Sequence, residues 1–412
     1  MVETSSLTPR FTPSDPEVLN DPYPVYARLR AAGALCRGRP GEWVVPRYAD
    51  VYALLRDPRL GVEFSEEHQR LGVGDGPAHE FRRRILLTLD PPAHTRLRHV
   101  MARAFSAAAV GALQARITSL VDDSMRQPLA SGRFDAVEAL AFPVAVTVLS
   151  ELLGVPVEDR HEIRPRALAL GTAFLAFVPN EDRPTANAAV VWFRDYMERL
   201  IERRRREPGP DLISAMVTDP DVADIGVETL IDNAFFLCFS GFETTVNLIS
   251  SGCALLAAHQ DELARLRANP SLVLTAVDEF LRFDAPIQST GRIVKEPLEI
   301  DGRLLRRGRL VTLLLGSANH DERQFDDPGR LDITRSPNQH VSFGAGIHHC
   351  LGAALSRVEG VAVFSRLLQI CDRFDADGSP RRTRTALFRG YAHVPIAVSP
   401  SRAMADETVT AP

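Results

Sequence analysis

The sequence predicts a mainly α-helical domain carrying small β-sheets, and three observations predict it. Apolar residues recur at helical spacing through most of 92–283. The text of 291–313 turns short, β-branched and rich in turn residues, which reads as small hairpins. The most apolar long stretch, about 234–258, carries Glu243 near Ser240 and Gly241; it fits a buried central helix better than a membrane span.

The elements follow in order. Residues 21–32 read as a short helix with Pro22 near its start. Trp43, Val44 and Val45 read as a strand behind the turn of Gly38, Arg39, Pro40 and Gly41. Residues 61–89 are punctuated by glycine and read as loop. A helix over 183–206 ends in Glu202 and the run Arg203 to Arg206, a solvated end that the helix dipole favours. Residues 319–342 have little periodicity and read as one long irregular stretch. A helix resumes after Cys350, with Leu351, Ala354, Val358, Val361 and Ala362 on one face. Val394, Pro395 and Ile396 suggest late strands before a polar tail. With no internal repeat and no clear linker, the expected organisation is a polar segment 1–20, one domain over 21–400 and a tail 401–412.

Composition narrows the function classes. The chain has 412 residues and a net charge of -5, with no basic stripe, so nucleic acid is not an expected partner. Lys295 is the only lysine; the remaining cationic side chains are arginine, which hints at a GC-rich bacterial genome. The cysteines Cys36, Cys238, Cys253, Cys350 and Cys371 are odd in number, widely spaced and without a CxxC pair. That argues against a disulfide framework or a thiolate zinc site and for a reduced cytosol. The polar N-terminus resembles neither a signal peptide nor a membrane anchor, so a cytoplasmic protein is expected.

The strongest local signal is Phe343-Gly344-Ala345-Gly346-Ile347-His348-His349-Cys350-Leu351-Gly352. Gly344 and Gly346 allow the backbone to turn tightly and approach a flat ligand. A cysteine at a helix N-terminus is favoured as thiolate by the dipole and the free N–H groups. Two blander readings stand beside this one. Most free cysteines are small buried apolar residues. His348, His349 and Cys350 could also be read as zinc ligands, but adjacent residues rarely converge on one tetrahedron.

The decapeptide resembles the haem-binding loop of the cytochrome P-450 family, whose pattern F-G-x-G-x-H-x-C-x-G it satisfies throughout. The resemblance implies that family's fold, a triangular prism with haem between the central long helix and the helix of the cysteine loop. It implies haem b with Cys350 as axial ligand of the iron, Phe343 packed near the sulfur, and Gly344 and Gly352 shaping the loop.

Other motifs fit in the expected order. Glu279 and Arg282 lie three apart, a spacing that alone reads as a surface ion pair. The family has a buried E-x-x-R pair here and a second arginine later; Arg330 matches the latter, with Leu331 where phenylalanine is frequent. The implied role of this trio is structural. Ser240-Gly241-Phe242-Glu243-Thr244-Thr245 resembles the A-G-x-D/E-T-T segment that makes room for dioxygen. Glu243 and Thr244 then match the acid and alcohol that relay protons, and Ser240 stands in place of alanine. Read without the family, Thr244 is a helical hydroxyl bonded to the carbonyl four residues back. Asp90 to Arg98 resembles the propionate-binding helix; His94, Arg98, Arg292, His340 and His348 are the implied propionate set.

The function implied is insertion of one oxygen atom from O2 into an apolar organic substrate, by hydroxylation or epoxidation. Electrons would come from NAD(P)H through a ferredoxin reductase and a ferredoxin, because the chain shows no flavin or iron–sulfur domain of its own. Monomer is the family default. Substrate selection is expected in 61–88, 165–185, 287–290 and 387–388, with Phe236, Ser240, Ile287, Ser289, Thr290 and Phe388 as pocket candidates. The charge-free run 167–178 reads equally well as a pocket roof and as a buried helix. The wording of 241–249 looks like bacterial members that tailor polyketides and macrolides. The rival readings are a peroxide-driven haem-thiolate peroxygenase, against which Glu243 and Thr244 argue, and a haem sensor or carrier without catalysis.

Overall fold

The structure, a computed structural model, describes residues 9–401 apart from Ser106 and residues 175–177. The chain begins with α1 (Pro16–Asn20), α2 (Tyr23–Ala32), β1 (Cys36–Arg37), β2 (Glu42–Val45) and α3 (Tyr48–Leu54). Next come β3 (Leu60–Gly61), α4 (Glu66–Val73) and α5 (Pro77–Arg82). A helical body follows: α6 (Ala93–Ala104), α7 (Ala107–Ser131), β4 (Arg133–Asp135), α8 (Phe142–Leu153), α9 (Arg160–Gly171), α10 (Arg183–Arg206) and α11 (Leu212–Val217). It closes with α12 (Val227–Ala258), α13 (Gln260–Ala268) and α14 (Val273–Phe283). Short strands β5 (Thr290–Val294), β6 (Leu298–Ile300), β7 (Arg303–Leu305) and β8 (Leu310–Leu313) lead into α15 (Leu315–Ala318). After the irregular stretch come α16 (Ala353–Ile370), β9 (Cys371–Ala376), β10 (Arg381–Arg382), β11 (Tyr391–His393) and β12 (Pro395–Pro400).

One sheet runs in the order β1-β2-β8-β5-β3 and pairs the early strands with those after α14, with β2 and β8 parallel in register from Glu42↔Leu310 to Val45↔Leu313. A second sheet, β4-β12-β9, clips the end of α7 to the last strand. The largest apolar cluster lies among the helices α6 to α16, and a second lies beneath the mixed sheet. The central α12 has 32 residues and spans about 48 Å. It crosses α14 and α16 closely at Gly252, where an added methyl would collide with the rings of Phe364 and Phe280. Among the described residues no helix is long and apolar enough to cross a membrane.

Three expectations need correction. The stretch 61–89 is not loop throughout: Ser65 caps α4 by accepting from the His68 amide, Gly74 ends it at φ 77°, and Pro77 opens α5. The glycines and proline that read as loop are the punctuation of two short helices. The domain also begins before residue 21, because Phe11 and Val18 are buried with Tyr26 and Leu29 in a third apolar cluster. Finally, α16 buries Leu355, Glu359, Ala362, Val363, Phe364 and Leu367, whereas Ala354 is exposed and Leu351, Val358 and Val361 are half-buried. The expected face is therefore rotated, because an acid, Glu359, sits inside the buried stripe. Of the expected tail, residues 402–412 lie outside the described residues.

Candidate functional site

The loop before α16 is set by its glycines. Gly344 and Gly346 adopt φ 67° and 71°, in the left-handed region that side chains disfavour. A Cβ on Gly346 would also lie 2.6 Å from the Leu55 carbonyl. The Cys350 amide donates to the Phe343 carbonyl at 2.8 Å and closes the loop. Cys350 precedes the helix, which starts at Ala353 with Gly352 as its cap. Among the five cysteines it alone is exposed. Burial pushes the thiols of Cys238 and Cys371 up to about 12. Desolvation raises the Cys350 thiol as well, opposed by the Gly352 amide, Arg98 and Arg357. The thiol is thus accessible although protein groups surround it. No three His, Cys, Asp or Glu side chains converge on a metal position among the described residues, so the zinc reading of His348, His349 and Cys350 has no geometry behind it.

The loop is held from behind by a chain of polar contacts. Glu279 and Arg282 are both fully buried and pair through two bonds of 2.8 Å. Arg282 also donates to the carbonyls of Asn319 and Pro328. The Asn319 side chain accepts from the Val341 amide at 2.8 Å and donates to Ser342 Oγ at 2.7 Å, just ahead of Phe343. The buried pair thus fixes the entry to the cysteine loop, a register role for a costly charge. The third member is not Arg330, whose side chain is exposed and which offers only its carbonyl to Arg282 at 3.3 Å. Arg335 takes that place, with Nε at 3.2 Å from Glu279 Oε2 and an 11% exposed side chain. The Asp332 amide and Asn338 complete the carboxylate's shell.

Four of the five cationic or imidazole candidates gather near the loop. His94 is 1% exposed, yet neither of its ring nitrogens has a hydrogen-bond partner. The ring of His348 lies 4.3 Å from it, and His348 Nε2 is also unpartnered. Arg292 is buried, bonds only to Thr290 Oγ1 and the Gly291 carbonyl, and has no carboxylate partner among the described residues. Burial lowers it to about 10. Arg98 donates to the His349 carbonyl at 2.7 Å. Buried polar groups without partners are costly unless a ligand supplies them. A buried and a half-buried imidazole beside two guanidiniums fit a group that brings carboxylates. His340 stands apart: Asp278 lies 3.4 Å from its Nε2, its Nδ1 accepts from the Ser342 amide, and its ring packs 5.6 Å from Phe343. Arg357 covers Phe343 at 4.7 Å.

On α12, between Leu230 and Ala257, only Phe236, Ser240, Gly241, Glu243 and Thr244 are not buried. This window coincides with the oxygen-segment motif. Thr244 donates to the Ser240 carbonyl at 2.8 Å, so the back-bonded helical hydroxyl and the motif residue are one and the same. Burial raises the Glu243 carboxyl, slightly opposed by Asn247 one turn on. Thr245 points the other way and donates to Glu359 of α16 at 3.1 Å, a buried acid raised to about 8 by desolvation. Sequence reasoning missed Glu359; an acid at the spacing of Leu355 and Val363 was its only signal. This bond ties the helix of the window to the helix of Cys350.

The pocket candidates also converge. Ile287 and Phe388 face each other in an antiparallel bridge, and the Gln288 amide donates to the Leu387 carbonyl. Phe388 lies 6.1 Å from Phe239, which stacks on Phe174 at 4.5 Å; Phe174 in turn lies 5.8 Å from Phe236. Ser289 and Thr290 are half-buried at the start of β5. Within 167–178, Ala167, Leu170 and Ala173 are buried in the core, Phe174 joins the aromatic wall, and residues 175–177 lie outside the described residues.

An accessible cysteine on a glycine-built loop, a carboxylate-seeking pocket beside it and an acid–alcohol pair on the central helix define the class of haem-thiolate oxygenases. The chain belongs to the cytochrome P450 family, whose profile matches residues 59–387. It is 38% identical over 388 residues to the cytochrome P450 monooxygenase PikC of Streptomyces venezuelae, covering 91% of each chain. It is 35% identical over 395 residues to the 6-deoxyerythronolide B hydroxylase of Saccharopolyspora erythraea, covering 91% of this chain and 96% of that one. The crystal structure of CalO2 matches with a TM-score of 0.88 at 35% identity, over 95% of this chain and 99% of the other. The protein is therefore a monooxygenase of the class that uses haem-thiolate iron, dioxygen and reducing equivalents.

Proposed function

We propose that the enzyme holds haem b, with Cys350 as axial ligand, and oxygenates an apolar polyketide-like or macrolide-like molecule in bacterial secondary metabolism. The observation that supports it most is the cluster of His94, His348, Arg98 and Arg292. The unpartnered ring nitrogens of His94 and His348, and the buried Arg292 with no carboxylate partner among the described residues, suit the two propionates of that haem. His340 is left out of this set because it has partners of its own. The haem supplies dioxygen binding and O–O cleavage. Burial raises the Glu243 carboxyl, so that it takes up a proton more readily than an exposed acid, next to Thr244. Thr244 commits its own proton to the Ser240 carbonyl and leaves its lone pairs free to accept. Phe236, Phe239, Phe388 and Ile287 exclude water and offer an apolar surface to the substrate. The name of the 6-deoxyerythronolide B hydroxylase supports the substrate class.

Electrons from NAD(P)H arrive through a ferredoxin reductase and a ferredoxin. The ferredoxin docks on the face beside Cys350, where Ile347 of the loop is exposed and Arg98 and Arg357 lie close enough to act on the thiol. The enzyme works as a cytoplasmic monomer. The deciding experiment compares absorption spectra of the reduced, carbon-monoxide-bound protein and of Cys350→Ala. The expected outcome is a strongly red-shifted Soret band that the substitution abolishes. A protein without haem, or a mutant with the same band, overturns the assignment.

A further inference from the structure

Between Leu230 and Ala257, α12 carries hydroxyls at Ser240, Thr244, Thr245, Ser250 and Ser251. Most are committed or sealed. Ser251 donates to Asp284 at 2.9 Å and Thr245 to Glu359 at 3.1 Å, both in buried surroundings. Ser250 is fully buried and leans on the Asn247 carbonyl at 3.3 Å. Thr244 reaches the window, but its proton points at the Ser240 carbonyl at 2.8 Å, the length of a good O–H···O bond. Ser240 differs. Its hydroxyl only reaches the Leu237 carbonyl at 3.4 Å, near the limit of bonding, and its side chain is open to the window. Turning that proton outward costs a fraction of the ~1 kcal/mol that a normal intramolecular bond contributes.

We infer that the Ser240 hydroxyl, rather than that of Thr244, is the hydrogen-bond donor of the dioxygen site. The inference rests on the haem-thiolate reading above. Ser240 and Thr244 are four apart and share a face of α12. They divide the work: Thr244 is anchored through the Ser240 backbone and accepts, while the Ser240 side chain donates to the outer atom of a diatomic ligand. A family segment with alanine at this position has no such donor. The hydroxyl is therefore a property of this chain, and Ser240→Ala removes it while keeping the carbonyl on which Thr244 rests.

The probe is carbon monoxide on the reduced, haem-loaded protein, read by infrared spectroscopy. A donor to the outer oxygen weakens the C–O bond, lowers its stretching frequency and makes the band sensitive to D2O. The wild type is expected to show a D2O-sensitive band. Ser240→Ala is expected to move it upward and remove the sensitivity, and Ser240→Thr, which keeps a hydroxyl, to retain both. An unshifted band in Ser240→Ala with an intact red-shifted Soret overturns the inference. So does a D2O-insensitive band in the wild type, a measurement that needs no variant to fold. A wild type with no red-shifted Soret sinks the haem-thiolate reading itself, and this inference with it.

Discussion

Two arginines, Arg330 and Arg335, have equal claim on Glu279 from their chemistry, and burial decides between them. Arg335 reaches the carboxylate and also donates to the carbonyls of Asp326, Asp327 and Arg330, so it holds the turn that Arg330 only decorates. Arg335→Ala is expected to cost on the order of 2 kcal/mol, below the ~3–5 kcal/mol of a fully broken buried pair because Arg282 remains. Arg330→Ala is expected to stay within ~0.5 kcal/mol, as a surface change does. Urea unfolding of both variants checks this; equal losses would restore Arg330 to the trio. The same limit explains the histidines. Cys350, Glu279, Arg282, Glu243 and Thr244 were legible because each sits in a fixed local spacing. His340 and His348 are both near the loop in sequence, and only the fold shows that Asp278 engages one while the other faces His94.

At the scale of elements, periodicity gave the helices through 92–283 and the hairpins after them, because those segments bury one face against a neighbour. It failed where a helix runs for only about two turns, too few to repeat a pattern, as in α4 and α5, and where a charge lies on the buried face, as Glu359 does in α16. Asp232 is a second such charge. Fully buried on α12, it receives the Arg194 fork of α10 at 2.7 and 2.9 Å, and Arg84 at 3.4 Å. Next to it, Asn233 accepts from the Leu86 amide and donates to the Arg84 carbonyl. The central helix therefore pins both α10 and the segment after α5 at one point. Asp232→Asn is expected to loosen α10 by about 2 kcal/mol, less than a fully buried pair because both arginines can rehydrate. Amide hydrogen exchange should quicken in α10 and stay unchanged in α16. Uniform quickening would mean that Asp232 stabilises the whole core and not this contact.

Across the whole molecule, two buried groups titrate with opposite consequences. Glu359 is raised from 4.5 to about 8 by burial, so between those values the folded protein holds a proton that the unfolded chain releases. Stability therefore falls as pH rises through that window, by up to ~1.4 kcal/mol per unit. His320, stacked on Tyr23 and bonded to the Phe283 carbonyl, is lowered from 6.5 to about 3, first by burial and then by Arg282. Its neutral form is required in the fold, so stability falls as pH drops below 6.5. Between 4.5 and 6.5 the two slopes oppose each other; above 6.5 Glu359 alone of the two acts, and its contribution descends toward pH 8. On the acid side Asp284, held below the usual carboxylate range by Arg382 and Arg389 against its burial, adds its own loss once pH falls under that range. Glu359→Gln keeps the shape and the Thr245 contact but cannot ionise. In the haem-loaded protein it should flatten the decline between pH 6.5 and 8, and steepen the fall from pH 6.5 to 4.5, where the slope of His320 is no longer opposed. Thermal unfolding of both proteins at pH 5, 6.5 and 8 reads the difference. If the variant declines as steeply as the wild type above 6.5, Glu359 is already ionised in the fold, and its bond to Thr245 is then a charge-assisted tie between α12 and α16.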